Sequence, residues 1–118
     1  MSFKNILKGL VDGVEGALGA IFIDEDGEEI DHYTNGDSDD TKLLGAHCSI
    51  HLREIERINR VLSSGKLNSA ILLFNHYVLL ISPVQEGYSI LLHLKTEGNI
   101  GKGIIKMRDA VKRIAEEL

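Results

Sequence analysis

Tryptophan is absent from this 118-residue chain, proline occurs once at Pro83, and cysteine occurs once at Cys48. A single thiol cannot close a disulfide within one subunit, so the sequence predicts a reducing, cytoplasmic setting and a fold held by its core alone. Pro/Gly/Ser-rich linkers and low-complexity tracts are missing, and 43% apolar residues suffice for one ordinary core. A single domain over residues 1–118 is therefore expected. Cations are scarce. With 13 Lys and Arg against 18 Asp and Glu the net charge is −5, which excludes a general nucleic-acid binder, because counterion release needs concentrated basic side chains. No apolar run approaches the roughly 20 residues of a membrane span, and Asp12 and Glu15 interrupt the N-terminal apolar positions. Neither membrane insertion nor a secretory signal is expected.

What the chain does have is periodicity. Phe3, Ile6, Leu7, Leu10, Val11 and Val14 recur at helical spacing and predict a short amphipathic helix ending near Gly13 or Gly16. "GALGAIFIDEDGEEIDHY" reads as a hairpin, with an apolar strand to Ile23, a turn at Asp26-Gly27, and a polar edge strand from Glu28 to Tyr33. After the loop "TNGDSDD", Asp39 or Asp40 caps a long helix from Thr41 to about Ser63. Three apolar runs follow, Ser69–Phe74, Tyr77–Val84 and Tyr88–Leu94, joined by connections too short for anything but antiparallel pairing. Because "AILLF" and "YVLLI" are apolar at successive positions, both sheet faces must be covered. Ile100, Ile104, Met107, Val111, Ile114 and Leu118 form the stripe of a last helix. The predicted fold is α/β, a profilin-like three-layer α/β/α arrangement in the order helix-strand-strand-helix-strand-strand-strand-helix, with a five-stranded antiparallel sheet.

The long helix is unusual in its width. Leu43, Leu44, Ala46, Cys48, Ile50, Leu52, Ile55, Ile58, Val61 and Leu62 spread over an arc of roughly 200°, about twice what a helix on one sheet needs. Something besides the sheet must cover the rest. The narrow polar arc holds Lys42, Arg53, Glu56, Arg57 and Arg60, while Asp24 to Asp40 is densely acidic, a polarity that suits a protein partner. His47 and His51 stand one turn apart inside the apolar arc. With Glu54 and Cys48 they are candidate ligands of a metal enzyme, yet the zinc-peptidase pattern fails because Cys48, not Glu, follows the first histidine. A packed seam between helices is the reading favoured for both.

Other motifs carry less. Asp24, Asp26 and Gly27 lack the ligand spacing of a calcium loop and read as a solvated turn. "GNIGKG", Gly98 to Gly103, precedes a helix as phosphate-binding loops do, but no Ser or Thr follows Lys102, and close backbone packing explains its glycines. Cys48 on an apolar face predicts an inert thiol. His32, His76 and His93 join no Ser or Asp in a recognisable constellation, so no catalytic residue, metal site or cofactor is expected.

The hairpin "GALGAIFIDEDGEEI", the long helix after an acidic loop, the strand "GYSILLHL" and the helix start "GNIGKG" together resemble the roadblock/dynein light chain family, of the bacterial or archaeal small-GTPase-partner type. The resemblance implies a homodimer in which third strands pair across a two-fold axis and long helices lie side by side. Leu44, His47, Cys48, Ile50, His51, Ile55, Ile58, Leu62, Ala70, Leu72 and Phe74 would then line the dimer interface. It further implies a scaffold or regulator that hydrolyses nothing itself and docks a Ras-like small GTPase near Lys42, Arg53, Arg57 and Arg60. Two other readings compete: a sensory domain holding a small ligand between sheet and helix, and the metal enzyme using His47, His51 and Glu54.

Overall fold

The computed structural model describes residues 2–36, 39–63, 65–85 and 87–118. Helix α1 spans Phe3–Asp12; the Ser2 hydroxyl accepts from the Asn5 N–H, and Ile6, Leu7, Leu10 and Val11 form its buried stripe. Strands β1 (Ala17–Ile23) and β2 (Glu29–Thr34) make the expected hairpin. In its turn the Asp24 carboxylate accepts from the N–H groups of Asp26 (2.9 Å) and Glu28 (3.0 Å), an Asx turn that leaves this aspartate employed by the backbone. Helix α2 spans Asp39–Leu62, β3 Ala70–Leu73, β4 Tyr77–Pro83, β5 Ser89–Lys95 and α3 Ile100–Glu117.

All strands join one antiparallel sheet in the order β2-β1-β5-β4-β3. The alternation of strand side chains explains the unbroken apolar runs. Ala20, Phe22, Val78, Leu80, Ile90, Leu92 and Leu94 point to one face and pack with α1 and α3. Ile21, Ile23, Leu79, Ile81 and Leu91 point to the other and pack under Leu52 of α2. The sheet therefore lies between a one-helix layer and a two-helix layer, as the sequence predicts.

The ends of the elements differ from expectation in instructive ways. Asp39 and Asp40 are the first two residues of α2 rather than its cap, and the residue before them lies outside the described residues. A carboxylate such as Asp40 in a first turn complements the positive end of the helix dipole. Strand β3 holds only Ala70 to Leu73; Ser69 and Phe74 fall just outside its ladder. At the far end of the sheet, glycine packs on glycine. Gly16 has φ +83°, and a Cβ there would stand 2.5 Å from Gly98 Cα, so the start of "GNIGKG" is close backbone packing. Asn99 closes the same loop by accepting from the Lys102 N–H at 3.0 Å, which uses the helix terminus internally.

The two sheet edges are opposite in character. Polar β2 is guarded by charge, with Lys4 Nζ 3.0 Å from Asp31. Apolar β3 exposes Ile71, Leu72 and Leu73, the kind of edge that invites another strand.

Candidate functional site

The face of α2 turned to the sheet is narrow and made of small residues. Thr41, Gly45, Ser49 and Leu52 are its buried positions, and a Cβ on Gly45 would stand 2.7 Å from Ile21 Cγ2. This close seating leaves the larger apolar side chains on the outside. Leu43, Ile50, Ile55, Ile58, Val61 and Leu62 are exposed by 48% or more, and Leu72 and Leu73 of β3 and the adjoining Phe74 are exposed by 39–71%. An apolar surface this continuous is rare on a chain that acts alone.

The two flanks of α2 separate by their contacts. Leu44 and Cys48 pack against the same buried cluster as Ala70 and Tyr77, and Ile55 borders a groove with Ser69 and Ile71, so this flank faces β3. His51, Ile58 and Leu62 follow on the same side at helical spacing. Ile50 stands over Gly27 of the β1–β2 turn, on the flank away from β3. Lys42 lies on that far flank too, 3.7 Å from Glu29. Arg53 and Arg60 border a cleft of about 380 Å³ with Glu25, Glu56 and Gly87. Arg57 pairs with Glu54 at 2.6 Å on the surface, a contact worth little to stability.

Catalytic chemistry finds no constellation among the described residues. Groups of three or more His, Cys, Asp or Glu close enough to hold a metal ion are absent there, so His47, His51 and Glu54 of one chain do not form the metal-enzyme site. Both histidines are exposed rather than held in a seam within the chain. Cys48 is half-buried, and burial raises its thiol pKa, which keeps it protonated and unreactive. The space under α2 is filled by Ile21, Ile23, Leu79 and Ile81. A concavity of about 720 Å³ is an open groove at the start of β3, between Ile55 and Asn59 of α2 and Ile104, Arg108 and Val111 of α3. None of the described helices is long and apolar enough to cross a membrane.

One polar pair went unrecognised in the sequence. His93, buried on the α2 face of β5, meets the Thr41 hydroxyl at 3.0 Å through Nδ1, with the Tyr77 ring edge-on at 5.3 Å. The alternation along β5 could have flagged it, since His93 falls on the face shared with Leu91. Burial lowers the His93 pKa from its ordinary value of 6.5, opposed in part by the Asp40 carboxylate. A base whose pKa falls on folding takes up its proton more readily when unfolded. Its stabilising effect is therefore complete above pH about 6.5 and is lost as pH falls through that value toward the folded pKa. Urea midpoints measured from pH 7.5 to 5 should fall less in His93→Asn, which keeps a hydrogen-bonding atom near the Nδ1 position without titrating. Parallel curves would remove His93 as the cause.

A family model described as mitogen-activated protein kinase kinase 1 interacting matches residues 1–118. No curated protein matches the chain. Among solved structures, the chain is similar to a Roadblock/LC7 domain from Streptomyces avermitilis, at 17% identity over 97% of this chain and 95% of that one, with a TM-score of 0.82. It is similar to MglC from Myxococcus xanthus at 24% identity over 100% of both chains, with a TM-score of 0.73. MglB from Myxococcus xanthus superposes with a TM-score of 0.85 at 10% identity, over 97% of this chain and 92% of that one. The fold is that of the Roadblock/LC7 domain, as the sequence resemblance implied.

Proposed function

The chain belongs to the mitogen-activated protein kinase kinase 1 interacting family, and from that premise we propose that it is a non-catalytic homodimeric scaffold that docks a Ras-like small GTPase or a related signalling protein. The observation that carries this reading is the apolar surface running from α2 across the open edge of β3. In the proposed dimer the two β3 strands pair antiparallel, and residues opposite each other must share a sheet face. Leu72 of one copy then lies beside Leu72 of the other, and Phe74 beside Ala70, under the helices. Leu44, His47, Cys48, His51, Ile55, Ile58 and Leu62 meet their counterparts above. Light scattering at micromolar concentration should return twice the mass of the chain; a monomer would overturn the reading.

Such a dimer leaves Leu43, Ile50 and Val61 uncovered on the outer side of α2, next to Arg53, Arg57 and Arg60. An apolar strip bordered by exposed arginines suits a partner with an acidic rim. Lys42, held at Glu29, is its outlying member. Arg57→Glu should leave the melting curve within error, since the residue is exposed, and weaken capture of the partner GTPase by about tenfold or more. Pull-down from the native host, followed by titration with GDP-loaded and GTP-loaded partner, is the measurement. Unchanged affinity would take the basic arc out of the docking surface.

A further inference from the structure

His47 and His51 are exposed on α2, and neither ring has a hydrogen bond or ion pair among the described residues. Their place on the helix is central. Measured from Thr41 at 100° per residue, the exposed apolar side chains given to the seam, Ile55, Ile58 and Leu62, lie at about 320°, 260° and 300°, so His51 at about 280° falls among them and His47 at about 240° stands beside Ile58. Whatever covers that flank therefore covers both imidazoles. Under the homodimer proposed above, on which this inference rests, the cover is a second α2 carrying the same pair. Rings shut between aliphatic side chains lose their water and need another partner.

Within one chain that partner is missing. Spaced by one turn, the two rings can clamp a single ion from one side, but a stable site needs further ligands. Glu54 is held by Arg57 at 2.6 Å, and Cys48 turns toward the sheet with its proton kept by burial. A two-fold axis supplies the deficit by bringing a second pair of imidazoles to face the first. Four nitrogen ligands suit a tetrahedral divalent ion of borderline softness. We infer that the homodimer binds one zinc-type transition-metal ion on its two-fold axis through His47 and His51 of both copies.

The test is calorimetric titration of metal-free protein with zinc chloride, with the mass followed by light scattering throughout. One zinc per two chains is expected, with a dimer before and after. His47→Ala and His51→Ala, both at exposed positions, should each fold and dimerise while losing roughly a hundredfold in zinc affinity. Cobalt in place of zinc should show the visible absorption of a tetrahedral nitrogen site. A dimer with no saturable binding at micromolar zinc, or with binding unchanged in both variants, overturns the site and leaves the homodimer standing. A chain that is monomeric with and without zinc overturns both. If zinc converts a monomer into a dimer only where both histidines are present, the site is supported and the metal-free dimer is not.

Discussion

Ile55→Asp should yield a folded monomer. In the chain alone Ile55 is 48% exposed, so exchanging it for aspartate costs the fold little, about 0.5 kcal/mol with a similar helix-propensity penalty at most. In the proposed dimer the same position is shut between two α2 helices and the start of β3. Symmetry places the carboxylate there twice, and each isolated buried charge costs several kcal/mol or is neutralised by taking a proton. Even about 4 kcal/mol for the pair weakens dimerisation roughly a thousandfold at 1.4 kcal/mol per decade. Sedimentation equilibrium reads the mass and circular dichroism the fold. Ile105→Asp is the control: Ile105 is exposed by 66%, but it belongs to α3 on the opposite face, so the dimer should survive. If Ile55→Asp remains dimeric, the β3 flank of α2 is not the seam.

This contrast between flanks marks how far the sequence could be read. Periodicity reports which residues share a helix face, so the order of elements and the excess width of the α2 arc were both legible before any coordinates. It does not report how the helix is turned on its sheet. Ile50 and Ile55 fall about 140° apart within one apolar arc on a wheel, and the wheel cannot say that one stands over Gly27 and the other borders Ile71, because rotation about the helix axis is set by Gly45 seating against Ile21 and Ile23 of β1. The Thr41–His93 pair was hidden for a related reason: its members are 52 residues apart, and only the three-dimensional arrangement of α2 and β5 joins them. The ends of β3 were likewise fixed by pairing with β4 rather than by the apolar run "SAILLF", which continues past both.

Gly45→Val should lower stability more than its exposed-looking neighbours suggest, and should weaken the dimer as well. Glycine inside a helix costs about 1 kcal/mol relative to alanine, so by propensity alone any replacement at Gly45 would help α2. Space decides otherwise. A Cβ there would stand 2.7 Å from Ile21 Cγ2 and 2.9 Å from Ile23 Cδ1, both on buried strand β1. Valine adds two methyl groups beyond that Cβ, and either the isoleucines leave their rotamers or α2 lifts from the sheet. Overpacking of this kind costs about 1–3 kcal/mol. A lift would also part the Thr41 hydroxyl from His93 Nδ1, leaving a buried ring nitrogen without its partner. The melting temperature should drop by several degrees, since each kcal/mol shifts a domain of this size by roughly 3–6 °C. Gly9→Ala in α1 isolates the propensity contribution, because nothing lies within 4 Å of a Cβ at that position, and it should gain stability instead. The same displacement carries His51, Ile55 and Leu62 away from their place beside β3, so the dissociation constant should rise along with the loss of stability. A stabilised Gly45→Val would mean that α2 does not approach β1 this closely.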